Sequence, residues 1–278
     1  MILGAYNELE VLRFTSVGAF LGNEHAEVLL PNKYLPEHLS VGSKINVFVY
    51  TDSDDRPIAT TLKPLAVAGS FASLRVKDLG PAGAFLDVGL EKDILVPYRE
   101  QKTEMQVGYW YIVFVYLDEK TNRLAATTKI KSRLQPANEG DLVEGQAVEL
   151  LIGERSDLGY SCIIDQRFLG LIYHNELFRP IKMGQMVRGY VKKLRTDGKV
   201  DVRLEASGYE NIDQYTQALL EALERHQGFL ALTDHSDPEE IRLLLGMSKK
   251  NFKKSLGALY KQKIVILESA GIRLVKSA

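Results

Sequence analysis

The chain has 278 residues, of which 45% are hydrophobic and 26% are charged, so a wholly disordered or fibrous protein is excluded. Its 35 Lys and Arg residues stand against 36 Asp and Glu, a balance that neither requires nor excludes a polyanionic partner. The only cysteine, Cys162, cannot form an internal disulfide or a cysteine-rich zinc site alone. The length suggests two or three domains of roughly 100–200 residues.

The N-terminal residues lack the basic region and the long apolar core of a signal peptide. The longest apolar stretch, residues 109–117, has nine residues, whereas a membrane helix needs about 20. We therefore expect a cytoplasmic protein with no membrane partner.

Three segments, 9–63, 71–129 and 147–205, repeat the same order of landmarks. In each, a glycine in a hairpin precedes a second glycine by 24 or 25 positions, and an apolar strand, a polar turn and a closing strand follow. The glycine pairs are Gly18 and Gly42, Gly83 and Gly108, and Gly159 and Gly184. Period-two alternation with β-branched and aromatic residues predicts five short strands per repeat. Repeats of this kind are typical of a small closed Greek-key barrel of the OB type.

The landmarks also match a known domain. Repeats one and two share the turns VGAFL and AGAFL, and repeat three contains GLIYHNEL followed by MGQMV. This order resembles the ribosomal S-one (S1) domain. The resemblance implies an OB barrel that binds single-stranded RNA through two aromatics near the first hairpin, a histidine, and an Asp and an Arg around the last hairpin.

Only part of that pattern is present. The first aromatic position holds Val17, Ala82 and Leu158. The second holds Phe20, Phe85 and, in repeat three, Ser161 with Tyr160 beside it. Tyr173 stands at the histidine position and His174 follows it. The Asp and Arg positions of the three repeats are occupied by Asp52 and Arg56, by Asp118 and Arg123, and by a turn with Arg195, Asp197 and Lys199.

After residue 208 the periodicity becomes helical. Residues 211–226 place apolar side chains on one stripe. A second helix begins at Asp237-Pro238 and ends at Gly246, and Ser248 caps a third that continues to Gln262. Two short strands, 264–267 and 272–275, complete a winged helix-turn-helix. Its third helix carries Lys249, Lys250, Lys253 and Lys254, with no acidic residue between Ser248 and Ile266.

Three OB barrels followed by a winged helix resemble one bacterial family, the conserved virulence factor B proteins. The resemblance implies an RNA-binding regulator without a catalytic centre that affects gene expression after transcription. The predicted fold is mainly β with a C-terminal α+β domain: three tandem five-stranded OB barrels plus a winged helix-turn-helix. The predicted domains are 1–64 (divergent and acidic), 65–136, 137–207 (with a basic stretch) and 208–278.

Charge is distributed unevenly among these domains. Residues 179–203 hold eight basic residues against two acidic ones, whereas residues 1–64 hold five against eight. We therefore expect repeat three and the winged helix to bind RNA most strongly and repeat one least. Because few rings are available for stacking, electrostatics should dominate and sequence selectivity should be low. The candidate RNA-binding residues are Phe85, Arg123, Tyr160, Tyr173, His174, Arg188, Lys192, Lys193, Arg195, Lys199, Lys249, Lys250, Lys253 and Lys254.

Other functions have less support. No Walker loop, dinucleotide-binding pattern or metal-ligand spacing occurs, so we expect no catalytic residue, metal or cofactor. The winged helix would suit a duplex-DNA-binding transcription regulator, which would then require a dimer, whereas an RNA-binding protein favours a monomer. The barrels could instead dock on the ribosome or on an RNA-processing complex. Alternation in residues 109–116 places Trp110, Phe114 and Tyr116 together, either in a core, on a base-stacking face or at a domain contact.

Overall fold

The computed structural model describes residues 1–22, 26–177, 180–204 and 210–275, the last range without the side chains of 210–214. The chain divides into two compact units, Met1–Gln135 and Pro136–Ala278. Within the described residues, the strands form three closed five-stranded barrels and one three-stranded sheet. The predicted mainly β fold with a C-terminal winged helix is confirmed, while the domain boundaries at 64, 136 and 207 stay predictions.

The first unit contains two barrels. Barrel 1 consists of β1 (Ala5–Thr15), β2 (Gly18–Gly22), β3 (Glu27–Pro31), β4 (Lys44–Thr51) and β5 (Pro57–Thr60). Barrel 2 consists of β6 (Phe71–Gly80), β7 (Gly83–Asp87), β8 (Ile94–Pro97), β9 (Trp110–Asp118) and β10 (Arg123–Thr127). In both, a 3-10 turn follows the third strand, and the third strand pairs in parallel with the fifth, which closes the barrel.

The second unit begins with barrel 3, which has the same strand order as the other two. Its strands are β11 (Ala147–Arg155), β12 (Gly159–Ile164), β13 (Phe168–Tyr173), β14 (Met186–Leu194) and β15 (Val200–Arg203). Cys162 lies in its core with 1% exposure, where burial raises the pKa of the thiol. This cysteine therefore packs as a small buried hydrophobe.

The first glycine of each repeat is required by a close approach of two strands. A Cβ on Gly83 would lie 2.1 Å from the carbonyl oxygen of Val96 in the neighbouring strand. The same separation is 2.1 Å in barrel 1 and 1.9 Å in barrel 3. The equivalent pairs are Gly18 with Leu30 and Gly159 with Ile172. Any side chain here would push the second and third strands apart.

The second glycine of each repeat lies just before the fourth strand and bonds the backbone of the first strand. Gly108 has a φ of 86° and donates its N–H to the carbonyl of Val76 at 2.8 Å, and the Val76 N–H bonds the carbonyl of Tyr109 at 2.9 Å. The strand pairing shifts register just after Val76, so this bond coincides with a bulge. The same pairs recur as Gly42 with Val11 and Gly184 with Ile152, both at 2.8 Å.

Barrels 1 and 2 share an apolar contact. Phe48 and Tyr50 alternate with the core residues Val47 and Val49 along β4, so they point out of barrel 1. They are nevertheless 0% and 6% exposed, because they pack against residues of barrel 2. Burial here raises the pKa of Tyr50 to about 12.

The C-terminal domain is a winged helix. Its elements are α1 (Glu210–Arg225), β16 (Phe229–Leu230), α2 (Pro238–Leu245), α3 (Lys249–Lys261), β17 (Val265–Glu268) and β18 (Gly271–Leu274). The predicted caps are confirmed: Asp237 and Ser248 accept backbone N–H groups at the starts of α2 and α3, and Gly246 ends α2 with a φ of 64°. Among the described residues, no helix combines the length and apolar character needed to cross a membrane.

Gly83→Ala should destabilise barrel 2 by about 3 kcal/mol, since the new methyl group meets backbone rather than a movable side chain. Trp110, the single tryptophan of the chain, lies in β9 and reports unfolding of this barrel in urea. Gly257→Ala on α3 is the matched control, because no atom lies within 4 Å of its added Cβ. The control should stabilise α3 by about 1 kcal/mol and leave the Trp110 transition unchanged. Similar transitions for Gly83→Ala and wild type would contradict the steric argument.

Candidate nucleic-acid interface

OB barrels bind nucleic acids on their second and third strands and on the loops beside them. In barrel 3 these strands are β12 and β13. Along β13 the core residue Ile172 alternates with Tyr173, so the tyrosine faces outward. Its hydroxyl donates to the carboxylate of Asp201 at 3.3 Å, and the Lys192 ammonium lies 5.9 Å from its ring centre. A half-buried ring and a cation thus meet on the face that this fold uses for binding.

Three predicted cations of barrel 3 already have anionic partners. Lys192 forms an ion pair with Glu176. Arg195 and Lys199, in the hairpin between β14 and β15, lie 3.1 Å and 3.2 Å from the same carboxylate, that of Asp197. The local charge is therefore much smaller than the basic sequence suggests. Arg179, the first cation of that stretch, lies outside the described residues.

Tyr160 and His174 come together at one end of barrel 3. Their ring centres lie 5.8 Å apart in an edge-to-face arrangement. The Nε2 of His174 lies 2.8 Å from the carbonyl oxygen of Ser156, and because a carbonyl only accepts, the proton is on Nε2. The side chain of His174 therefore ties the first hairpin of the barrel to the turn after the third strand.

The same tie exists in all three barrels. At the equivalent position, Asn32 Nδ2 donates to the carbonyl of Ser16 at 2.7 Å, and Tyr98 Oη donates to that of Gly80 at 2.9 Å. A structural role thus accounts for the position of His174. Its imidazole edge and Tyr160 still line a groove of about 660 Å³, together with Arg155 and, from the winged helix, Arg242, Leu243 and Gly246.

Arg188 and Lys193 lie on β14, apart from this groove. Both side chains are exposed, and the Arg188 guanidinium lies 5.9 Å from the ring centre of Tyr190. Arg188 lines a shallow groove of about 450 Å³ that also contains the acidic residues Glu149 and Asp165. The structure therefore does not unite all predicted cations of barrel 3 at one place.

The predicted aromatic positions of barrels 1 and 2 face outward. Phe85 on β7 is half-buried and alternates with the core residues Ala84 and Leu86. In barrel 1 the equivalent Phe20 lies under the guanidinium of Arg13, 4.2 Å from its ring centre. Both rings therefore lie on the OB binding face, although the ring of barrel 1 is covered.

Arg123 lies at the contact between barrels 1 and 2. Its guanidinium forms a bidentate pair with the carboxylate of Asp55 in barrel 1. Lys92 lies 3.5 Å from the same carboxylate. The hydrogen bond from Arg123 lowers the pKa of Asp55. As placed, Arg123 links two barrels rather than presenting a free guanidinium.

The predicted lysines of α3 have mixed surroundings. Lys249 is half-buried and donates to the carbonyl of Ser236 at 2.8 Å. Lys250, Lys253 and Lys254 are exposed, and Lys253 lies 3.9 Å from the carboxylate of Asp234. The apolar side chains Phe252, Leu256 and Leu259 face the domain core, so α3 is amphipathic.

Two arginines of barrel 2 were not among the predicted site residues. The guanidinium of Arg133 lies 5.4 Å from the ring centres of both Phe114 and Tyr116, and Arg75 pairs across strands with Trp110. The alternation predicted for this strand is confirmed, because Tyr111 packs against the core. For Arg133, the basic residues at 131 and 133, directly after repeat two, were the available signal.

Comparisons with known proteins give the same order of domains, barrels followed by a winged helix. Residues 3–62 and 68–129 match the S1 domain family, and residues 217–274 match the CvfB-like winged helix domain family. Conserved virulence factor B of Staphylococcus aureus strain USA300 is 24% identical over 247 residues, 86% of this chain and 82% of the relative. The protein of that name from strain bovine RF122 / ET3-1 has the same identity and coverage.

A crystal structure of a multidomain protein with nucleic acid binding domains from Streptococcus pneumoniae TIGR4 is 23% identical, covers 98% of both chains and has a TM-score of 0.45. The domain matches define a class of nucleic-acid-binding proteins in which S1 barrels precede a winged helix. Within that class, the chain carries two S1 domains and a CvfB-like winged helix domain, and over most of its length it is similar to the conserved virulence factor B proteins. Among the described side chains, no group of three or more His, Cys, Asp or Glu is arranged to hold a metal ion.

Asp55→Asn should weaken the association of barrels 1 and 2, since it removes the charge that Arg123 and Lys92 share. A carboxylate with a lowered pKa stabilises the fold above its unfolded pKa of about 3.9. Below the lowered value both forms are neutral, so the difference should disappear. Thermal unfolding of both proteins at pH 7 and near pH 2 checks this. A difference that persists in acid would show that the charge is not responsible.

Proposed function

We propose that this protein is a non-catalytic, cytoplasmic, monomeric single-stranded RNA-binding protein that regulates gene expression after transcription. The observation that carries the proposal is the outward face of barrel 3, where Tyr173 lies beside Lys192 on the strands that OB barrels use for binding. A ring offers stacking to any base, and an ammonium offers charge to any phosphate. Both favour single strands, whose bases are free to stack.

Sequence selectivity is low in this proposal. Base–aromatic stacking contributes about 1–3 kcal/mol per base whatever the base is. The candidate rings are few: Phe85 in barrel 2, and Tyr160 and Tyr173 in barrel 3. Most of the affinity therefore comes from phosphate contacts, which depend on salt rather than on sequence.

The ion pairs of barrel 3 shape how RNA binds there. A phosphate that approaches Lys192 or Arg195 competes with Glu176 or Asp197 for the same cation. These pairs are partly exposed, so they hold each cation only weakly. RNA affinity at this face should therefore be moderate, and added salt should weaken it.

The winged helix supplies the second cationic surface. Lys250 and Lys254 on α3 are exposed, and no carboxylate of the described residues lies within 4.0 Å of either ammonium. Because α3 occupies the recognition-helix position, these lysines are suited to phosphate contacts. Arg123, in contrast, can bind a phosphate only if RNA displaces the carboxylate of Asp55.

A protein-docking role is the second candidate, with the ribosome or an RNA-processing complex as the partner. It is favoured by apolar side chains that the winged helix leaves exposed: Leu243 (77%), Leu244 (43%), Ile266 (46%) and Leu267 (52%). In that case the purified protein would show no salt-sensitive RNA affinity. Preference for duplex DNA over single-stranded RNA in competition, together with a dimer in solution, would instead indicate a transcription regulator.

Neutralising Lys192, Lys193 and Arg195 with glutamine should weaken RNA binding more than neutralising Lys33 and Lys44. Both sets break ion pairs, since Lys33 bonds Glu91 and Lys44 lies 3.6 Å from Glu8, although the first set removes three charges and the second removes two. Binding of labelled homopolymeric RNAs, measured across salt concentrations, gives both affinities. We expect at least a tenfold greater loss for the barrel 3 set, about 1.4 kcal/mol. Equal losses would refute the predicted polarity.

Lys250→Gln combined with Lys254→Gln should reduce the salt dependence of RNA binding. Each phosphate contact on a single strand contributes a slope of about −0.7 to the plot of log affinity against log salt. The double variant should therefore flatten the slope by about 1.4 units. Gly257→Ala on the same helix serves as the control and should retain the wild-type slope. An unaltered slope in the double variant would remove α3 from the interface.

A further inference from the structure

Barrel 2 carries a row of aromatic and arginine side chains outside its OB binding face. Trp110, Phe114 and Tyr116 share the outer face of β9, with Arg75 opposite Trp110 on β6 and Arg133 over the other two rings. We call this set the aromatic–arginine strip. It lies on the first and fourth strands of the barrel, whereas Phe85 lies on the second.

The strip is not part of the core of barrel 2. Tyr111, Val113 and Val115 alternate with it and face the core, whereas Trp110 is 51% exposed. The neighbouring Tyr109 is 62% exposed. About half of the Trp110 surface is therefore open to solvent and available to a ligand.

The charge of the strip suits an anionic ligand. No carboxylate of the described residues lies within 4.0 Å of the Arg75 or Arg133 guanidinium. Elsewhere in the first unit, Arg13, Arg56 and Arg123 form ion pairs, whereas Arg99, like Arg75 and Arg133, has no carboxylate of the described residues within 4.0 Å. Arg133 thus lies over two rings, and Arg75 lies opposite Trp110 with its Nε donating to the carbonyl of Gly108 at 3.2 Å. Rings and cations without a carboxylate partner bind bases by stacking and phosphates by charge.

The strip is open at one end only. Ile112, which lies between Trp110 and Phe114 on the same face of β9, is 9% exposed, and the Phe114 ring centre lies 4.8 Å from that of Phe71. Arg133 closes the Phe114 end by covering the ring, and the Trp110 end stays open.

We propose that the aromatic–arginine strip is a second contact for single-stranded RNA, with Trp110 stacking on a base and Arg75 binding the adjoining phosphate. The proposal rests on the proposed function, since it presumes that the chain binds single-stranded RNA. It adds a site on a different face of a different barrel. RNA bound by the chain would then contact barrel 2 on two sides.

The single tryptophan of the chain allows a direct test. The full-length protein is titrated with a 5′-labelled oligouridylate, and RNA anisotropy and Trp110 emission are followed in parallel. We expect the emission to be quenched with the same midpoint as the anisotropy, and the bound RNA to protect Trp110 from acrylamide. Trp110→Ala should weaken binding about 5- to 10-fold, the loss of one stacked base.

Matched variants separate stacking and charge from misfolding. Trp110→Phe keeps a ring and should bind within about twofold of wild type, because phenylalanine also stacks on bases. Arg75→Gln should flatten the salt slope by about 0.7. Lys63→Gln, an exposed cation outside the strip, should leave both affinity and emission quenching unchanged.

The two proposals fail in different ways. If the anisotropy reports RNA binding while Trp110 emission and acrylamide quenching do not change, and Trp110→Ala binds like wild type, the strip is not a contact and the proposed function stands. If the anisotropy reports no binding at all, the proposed function itself is overturned. Equal losses for Trp110→Phe and Trp110→Ala would also overturn the stacking assignment.

Discussion

Each barrel depends on one close backbone contact, between the first glycine of the repeat and a carbonyl oxygen of the third strand. The contact leaves no room for a Cβ in any of the three barrels. It brings the first hairpin against the turn after the third strand, and a side chain from that turn then bonds the hairpin: Asn32, Tyr98 or His174. The geometry of the OB binding edge is thus set by the backbone and does not depend on the functional side chains.

This constraint explains why the fold could be predicted from the sequence. The glycines at 18, 83 and 159, and their partners at 42, 108 and 184, mark steric requirements that only glycine meets with ease. The caps of the winged helix are equally local, since Asp237 and Ser248 bond backbone groups two and three residues away. Sequence features of this kind involve residues that are close together in the chain, so they can be recognised in a single sequence without an alignment.

The site was less predictable, because charge acts between residues that are distant in sequence. Arg123 occupies the expected hairpin position, but its partner Asp55 is 68 residues away. Lys192 likewise pairs with Glu176 across the barrel. A count of cations in a segment cannot reveal such pairs. The outward orientation of the aromatic rings was predicted better than the ion pairs, because alternation along a strand decides which side chains face outward, as it does for Tyr173 and Trp110.

The limit of sequence reasoning is clearest in four residues that occur twice. VFVY stands at 47–50 and again at 113–116, and in both copies the valines enter the core while the aromatics point outward. In barrel 1 the outward pair, Phe48 and Tyr50, is buried against the next barrel. In barrel 2 the equivalent pair lies under Arg133. Because the local sequence is identical, the difference comes from the segment after each repeat: another barrel packs on the first pair, and a short basic turn covers the second. The role of an outward aromatic face in such a repeat is therefore set by its neighbours rather than by its own residues.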